Sequence, residues 1–276
     1  MHKKLITAIV LTKNEEGILD RCLSALSFVH SIIVFDSFST DGTLEIAKNH
    51  RAIIYQRDFD NYACQRNAAL DTVPNECDWV FMVDADEIVT AELREEILNE
   101  IELEQENSMY RVRRKDFYQG KWIKHSSGYP TWFPRLFKNG KVRVAREINE
   151  EYLTDGKVGH LNEHLLHYPF NKGITWWMDK HNRYSQMEAK LMLKEIKEPL
   201  KFRNLFSKDP VARRKQQKRL SYHLPLRPQI VFFAFYFLKA GFLDGKAGFN
   251  FCRLRQMYEY MISIKFEELK EIERRV

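Results

Sequence analysis

The chain has 276 residues, 44% of them hydrophobic and 30% charged, which excludes a disordered polypeptide and leaves room for one large domain or a domain with an appendage. Its net charge of +6 favours an anionic partner, whether a nucleotide, a nucleic acid or a membrane surface. Cys22, Cys64, Cys77 and Cys252 form no CxxC pair, so the sequence indicates neither a zinc site nor a disulfide framework and fits a reducing cytosol.

The chain opens MHKKLITAIVLTKNEE. Its apolar stretch gives way to Lys13, Glu15 and Glu16 without a small-residue cleavage site, so it reads as a first strand. Short β-branched or aromatic runs at 5–11, 31–36, 52–55 and 79–84 have the pattern of strands buried on both faces. Helical patterns cover about 16–26, 43–49, 63–70 and 91–104. This alternation predicts βαβ units and a mostly parallel, Rossmann-like sheet flanked by helices. Residues 109–144 are aromatic, basic and turn-rich, which predicts antiparallel strands and loops completing the sheet. A long helix is expected from about 174 to 197. The last 70 residues run through a basic stretch, SKDPVARRKQQKR, then LPLRP, an aromatic run at 230–238 and a charged amphipathic helix. That aromatic run is far short of the ~18 residues of a spanning helix.

Ligands of a parallel sheet bind beyond the carboxyl ends of its strands. Three segments fall there: TKNEE (12–16), DSFSTDGT (36–43) and DADE (84–87). In DSFSTDGT, Asp36 can accept hydrogen bonds from the base or ribose of a nucleotide, and Asp41 or Thr40 can cap the following helix. In DADE, Asp84 and Asp86 point the same way if the segment is extended. Two adjacent carboxylates repel unless a cation lies between them, and oxygen ligands suit Mg²⁺ or Mn²⁺. The alternative is that these acids cap the helix after Thr90.

TKNEE, DSFSTDGT, QRNAAL (65–70) and VDADE together, in this order over roughly the first 100 residues, resemble the family 2 glycosyltransferases of the GT-A fold. The resemblance implies that Thr12, Asn14 and Glu15 line the nucleotide pocket, Asp36 meets the base, and Arg66, Asn67 and Asp84 contact the nucleotide-sugar. Asp86 then stands at the metal-binding position of the DxD motif, and Glu87 supports the pair or caps the next helix. In similar members a PRLF segment precedes a His-Glu pair that supplies the general base. Here PRLF occupies 134–137, and Asn149 and Glu150 stand where His-Glu is expected, a departure at Asn149. Glu150 is the expected base, with Glu147 and Glu151 as competitors. His167 in EHLLHYPF is the expected second metal ligand, and HNRYS (181–185) resembles a segment of the lipopolysaccharide-core branch, with a structural or acceptor-side role.

The resemblance therefore implies an inverting transferase that moves a hexose, glucose from UDP-glucose, onto a bacterial surface glycan such as the lipopolysaccharide inner core, with Mg²⁺ or Mn²⁺. The expected division is a catalytic domain over 1–200 and a helical extension over 201–276. Between 208 and 219 six Lys or Arg residues face one Asp, and a basic segment beside aromatics suits a helix lying in a membrane interface. A cytoplasmic enzyme touching the inner face of the membrane follows, beside a lipid-linked acceptor; packing of the aromatics within the protein or on a second subunit is the alternative. A nucleotidyltransferase could use the same acidic pair but would want a glycine-rich phosphate loop near the first strand. A nucleic-acid or anionic-surface binding protein would be hindered by the acidic rim.

Overall fold

The four apolar runs of the N-terminal half pair as parallel strands in the computed structural model, which describes residues 4–103, 106–145, 151–200 and 202–275. In chain order the first elements are β1 (Ile6–Thr12), α1 (Leu19–Ser24), β2 (Ser31–Asp36), α2 (Thr43–Asn49), β3 (Ile53–Gln56), α3 (Tyr62–Leu70), β4 (Trp79–Asp84), β5 (Glu87–Val89) and α4 (Ala91–Glu102). Antiparallel strands follow: β6 (Asn107–Tyr118), β7 (Lys121–Trp122), β8 (Trp132–Lys138), β9 (Arg143–Ala145), β10 (Glu151–Leu153) and β11 (Lys157–His167). The last helices are α5 (Gly173–Glu195), α6 (Pro210–Ser221), α7 (Arg227–Phe233) and α8 (Gly245–Arg275). The chain divides into two units, Met1–Lys115 with Phe133–Asn171, and Asp116–Trp132 with Lys172–Val276.

The main sheet runs β3-β2-β1-β4-β8-β6-β11-β5, with β7 paired to β6. β3, β2, β1 and β4 are parallel, whereas β8 lies antiparallel to β4 and β11 antiparallel to β5. Period-2 alternation sends side chains to both faces. Ala8, Val10, Phe81 and Val83 pack with Leu19 and Leu23 of α1 and Leu93 and Ile97 of α4. Ile9, Ile33, Val80 and Met82 pack on the opposite face with Ala69 of α3. Full burial of each such side chain contributes about 1.5–3 kcal/mol, which is why these runs are apolar on both faces.

Two expected elements differ. The first helix is confined to Leu19–Ser24 because residues 13–16 run through bends and a turn tied to the loop after β2, and helical hydrogen bonding begins only where Ile18 and Leu19 N–H groups donate to Glu15 O. DADE is no continuous strand: Ala85 and Asp86 form a turn between β4 and β5. Asp84 and Asp86 are therefore related by a turn rather than by extended spacing.

In the second unit α5 and α8 share a core of Ala189, Met192, Ile262 and Phe266, joined by Tyr222. HNRYS is structural here. His181 stacks on Trp177 with ring centroids 3.6 Å apart, and Lys265 Nζ donates to Asn182 O, Asn182 Oδ1 and Ser185 Oγ, each at 2.7 Å. Basic residues of 208–219 also act within the unit: Lys218 pairs with Glu188 at 2.7 Å, and Arg219 donates to the carbonyls of Glu195 and Glu198. Asp244 accepts from the backbone N–H groups of His125 and Ser126. Among the described residues no helix is long and apolar enough to cross a membrane.

Candidate active site

Strand register delivers the expected residues to one edge. Thr12 pairs with Asp36 across β1 and β2, and Leu11 with Asp84 across β1 and β4. The loops after β1 and β2 are then laced together. Lys13 Nζ donates to the carbonyls of Ser37 and Phe38, Asn14 N to Ser39 Oγ, Thr40 N to Asn14 Oδ1 and Glu15 N to Thr43 Oγ1, all at 2.7–2.8 Å. Two non-glycine residues in these loops, Asn14 at φ 55° and Phe38 at φ 58°, occupy the left-handed region. For a bulky side chain that conformation is strained, and such strain concentrates at functional sites. The cap position of α2 is Gly42, without a side-chain cap; Asp41 accepts from the N–H groups of Thr43 and Glu16.

Asp36 is fully buried. It accepts hydrogen bonds from Thr12 Oγ1, Ser39 N, Ser39 Oγ and Gln56 Nε2. Its carboxylate ties the start of the loop after β2 to β1 and β3.

The DADE turn separates its three acids. Asp84 receives Arg66 Nη2 on Oδ1 and Arg135 Nη2 on Oδ2, both at 2.8 Å. Glu87 has no exposed surface and takes Arg135 Nε and Nη2 at 2.8 Å each, with Arg114 Nη1 at 3.3 Å. Burial opposes ionisation of Asp84, but the guanidiniums of Arg66 and Arg135 hold its carboxyl far below the usual range. Conversely, burial would lower the Arg135 pKa, yet Glu87 and Asp84 raise it above its ordinary value. Glu87 is thus the buried anchor of Arg135, and the cap of α4 is Thr90, whose side chain accepts from Leu93 N. The cations that neutralise Asp84 and Glu87 are arginines.

Asp86 is the third acid, and β11 brings its partner. His167 pairs in register with Glu87, Tyr168 N donates to Asp86 O at 2.9 Å, and His167 Nε2 lies 3.4 Å from Asp86 Oδ2. Neighbouring ligands of one octahedral ion with bonds of 2.0–2.1 Å stand about 3 Å apart. The pair therefore fits a small divalent ion held by one oxygen and one nitrogen. Among the described residues no group of three His, Cys, Asp or Glu could hold a metal, so phosphate oxygens and water would complete the shell, as suits an ion that keeps several waters. Burial, then the charges of Glu87, Asp86, Asp84 and Glu15, push the Cys22 thiol well above its ordinary pKa.

The remaining residues are dispersed. Asn171 Nδ2 donates to Glu15 Oε2 at 3.1 Å, drawing the loop after β11 to the loop after β1. Asn67 is engaged with a backbone: its Nδ2 donates to Val144 O at 2.8 Å and its Oδ1 accepts from Val144 N at 2.9 Å. Glu147 and Glu150 lie outside the described residues, whereas Glu151 opens β10 and is exposed. The sequence alone gives Arg135 no role, although it lies in the PRLF segment at 134–137. A lone arginine amid apolar residues of a buried strand was the available signal.

Residues 7–161 match the model of glycosyl transferase family 2, more than half of the chain. The chain belongs to glycosyl transferase family 2. This glycosyltransferase is 24% identical over 272 residues to the lipopolysaccharide core biosynthesis glycosyltransferase LpsC of Rhizobium meliloti, covering 94% of this chain and 91% of that one. It is 29% identical over 228 residues to the uncharacterized glycosyltransferase RC0292 of Rickettsia conorii, covering 74% and 77%. In fold it is similar to the mannosyltransferase PcManGT of Pyrobaculum calidifontis, solved with GDP-Man and Mn²⁺, at TM-score 0.53 and 14% identity over 96% of this chain and 88% of that one. The glycosyltransferase has the expected GT-A arrangement with a long C-terminal helix, and the nucleotidyltransferase and non-enzymatic readings give way to it.

Proposed function

We propose that this glycosyltransferase is an inverting hexosyltransferase moving glucose from UDP-glucose onto a lipid-linked bacterial surface glycan, the lipopolysaccharide inner core being the acceptor class. The meeting of Asp86 with His167 at the edge where β1, β2 and β4 end carries the reading. The name of LpsC supports the acceptor class. In this assignment Thr12, Asn14, Glu15 and Asp36 shape the nucleotide pocket, Arg66, Asn67 and Asp84 serve the nucleotide-sugar, and Asp86 and His167 would hold Mg²⁺ or Mn²⁺. The ion would neutralise charge on the departing diphosphate. Residues 1–200 carry the catalysis, and residues 201–276 serve the acceptor or membrane side at the cytoplasmic face.

Glu150 takes the proton of the acceptor hydroxyl. The freed oxygen attacks the anomeric carbon from the face opposite the diphosphate, which leaves with the electron pair of its bond to the sugar. A single displacement inverts that carbon. Arg66 and Arg135 keep Asp84 ionised and fixed throughout.

Purified enzyme incubated with a panel of radiolabelled nucleotide-sugars and lipid extract tests the donor; transfer from UDP-glucose is expected, and transfer from another nucleotide-sugar in its place refutes that choice. Asp86→Ala is expected to abolish transfer and weaken donor binding in the presence of Mn²⁺, while full activity in EDTA would sink the metal's role. Glu150→Gln should lower turnover by about 10²–10⁴-fold with donor binding intact; an equal loss in Glu147→Gln or Glu151→Gln alone would move the base to that residue.

A further inference from the structure

The second unit gathers cations on one aromatic ring. The guanidinium carbon of Arg255 stands 4.0 Å from the centroid of Phe235, and Lys239 Nζ stands 4.5 Å from it. Gly128 adjoins the same ring. Arg214 Nη2 donates to its carbonyl at 3.0 Å, and a Cβ at Gly128 would lie 3.0 Å from Phe235 Cε1 and 3.3 Å from Lys239 Nζ. Among the described residues none of the three cations forms a salt bridge, and the buried Nε of Arg255 has no hydrogen-bond partner. Asp116 acts on Arg214 and Glu259 on Arg255 only through longer-range attraction, and Glu259 is already paired with Arg227. Burial, followed by the charges of Arg214 and Arg255, lowers Lys239 to about 8.

Apolar side chains surround this cluster in the chain and stay exposed: Phe233, Phe237, Phe242, Leu243 and Leu238, the last at 74%. Their backbone is helical. α7 passes into a π-helical turn over Ala234–Leu238, closed by Lys239 N donating to Ala234 O at 2.9 Å. Leu226 and Ala240 bracket the segment at φ 53° and 55°, a conformation that non-glycine residues rarely adopt. Such π turns recur at functional sites.

We infer that this face lies in a membrane interface, with Arg214, Lys239 and Arg255 around Phe235 taking the phosphate of an anionic lipid head group and the exposed apolar ridge entering the interfacial layer. Charge and shape select this occupant together. A soluble phosphate would satisfy the cations and leave the ridge in water, whereas an apolar protein partner would have to cover three cations that lack carboxylate partners. A short apolar segment flanked by basic residues gains from both terms at a lipid surface. The inference deepens the reading of a lipid-linked acceptor, and its test does not depend on that reading.

The full chain is sedimented with vesicles of phosphatidylcholine alone and of phosphatidylcholine with phosphatidylglycerol. Binding is expected to the anionic vesicles, to weaken with salt, and to fall about fivefold in Lys239→Ala, the loss expected for one charge near an anionic surface. Leu238→Ser with Phe237→Ser should also release the chain, with its circular dichroism unchanged. Equal binding to both vesicle types, no binding to either, or full displacement by millimolar inorganic phosphate with no effect of the double substitution would overturn the inference. So would a dimer dispersed by the double substitution in the absence of vesicle binding, which would assign the ridge to a second copy. Transfer measured in detergent separates the two proposals: a chain that transfers sugar but ignores vesicles refutes the membrane face alone, and one that binds vesicles but transfers nothing refutes the glucosyltransferase reading alone.

Discussion

Three acids within four residues are compatible with a folded strand end because each has a basic side chain beside it. Asp84 lies between Arg66 and Arg135, Glu87 beneath Arg135 and Arg114, and Asp86 beside His167. Arg135→Met would leave the fully buried Glu87 with Arg114 and the Asp84 N–H, and breaking a buried pair in this way costs about 3–5 kcal/mol; denaturant unfolding reads the loss. Arg135→Lys should recover only part, since an ammonium cannot reproduce the two-pronged contact. Asp84 sets a pH dependence. Its folded pKa lies below its unfolded value, so the unfolded chain binds the extra proton, and the stabilisation is full above the ordinary carboxylate range near 4 and falls as pH drops below it. The melting temperature of wild type should therefore decline more steeply between pH 5 and pH 3 than that of Asp84→Asn, roughly the window spanning that range. Parallel curves would deny Asp84 this part.

Short elements carry much of the site. β5 has three residues, yet its pairing with β11 fixes His167 against the DADE turn. α3 reaches across to β9 through Asn67, whose amide replaces a strand neighbour for Val144. Asn67→Leu removes both bonds and leaves two backbone groups unsatisfied, at about 1–3 kcal/mol each if they stay buried. Hydrogen exchange at the Val144 amide should accelerate more than at the amides of β1. Unchanged protection there would show that β9 is held by β10 alone. The strands β1, β2 and β4 were legible because burial on both faces demands runs of apolar residues, and the exposed edge strand β3 by its β-branched and aromatic residues. β5, β10 and β11 were not, because a short or polar-faced strand has no such run and exists only by virtue of its neighbour.

The protein as a whole rests on the two-sided sheet. Phe81 is fully buried between β1, α1 and α4, and Phe81→Ala is expected to destabilise by about 3–5 kcal/mol, visible as a lowered thermal midpoint; a loss below about 1 kcal/mol would mean that the site collapses around the change. By itself the sequence determined the alternation of strands and helices, the rim on which the acidic and Ser/Thr-rich segments fall, and the family. These follow from local periodicity and from motifs whose residues are close in the chain. Tertiary structure alone decided which carboxylate meets which cation. Arg135 reaches Asp84 from 51 positions away, and His167 reaches Asp86 through a register between strands far apart in sequence. No local pattern encodes such a register, because it is set by the packing of the whole sheet edge. The acids at 84–87 were visible as a site, but only the fold distinguished the neutralised Asp84 and Glu87 from Asp86 beside His167.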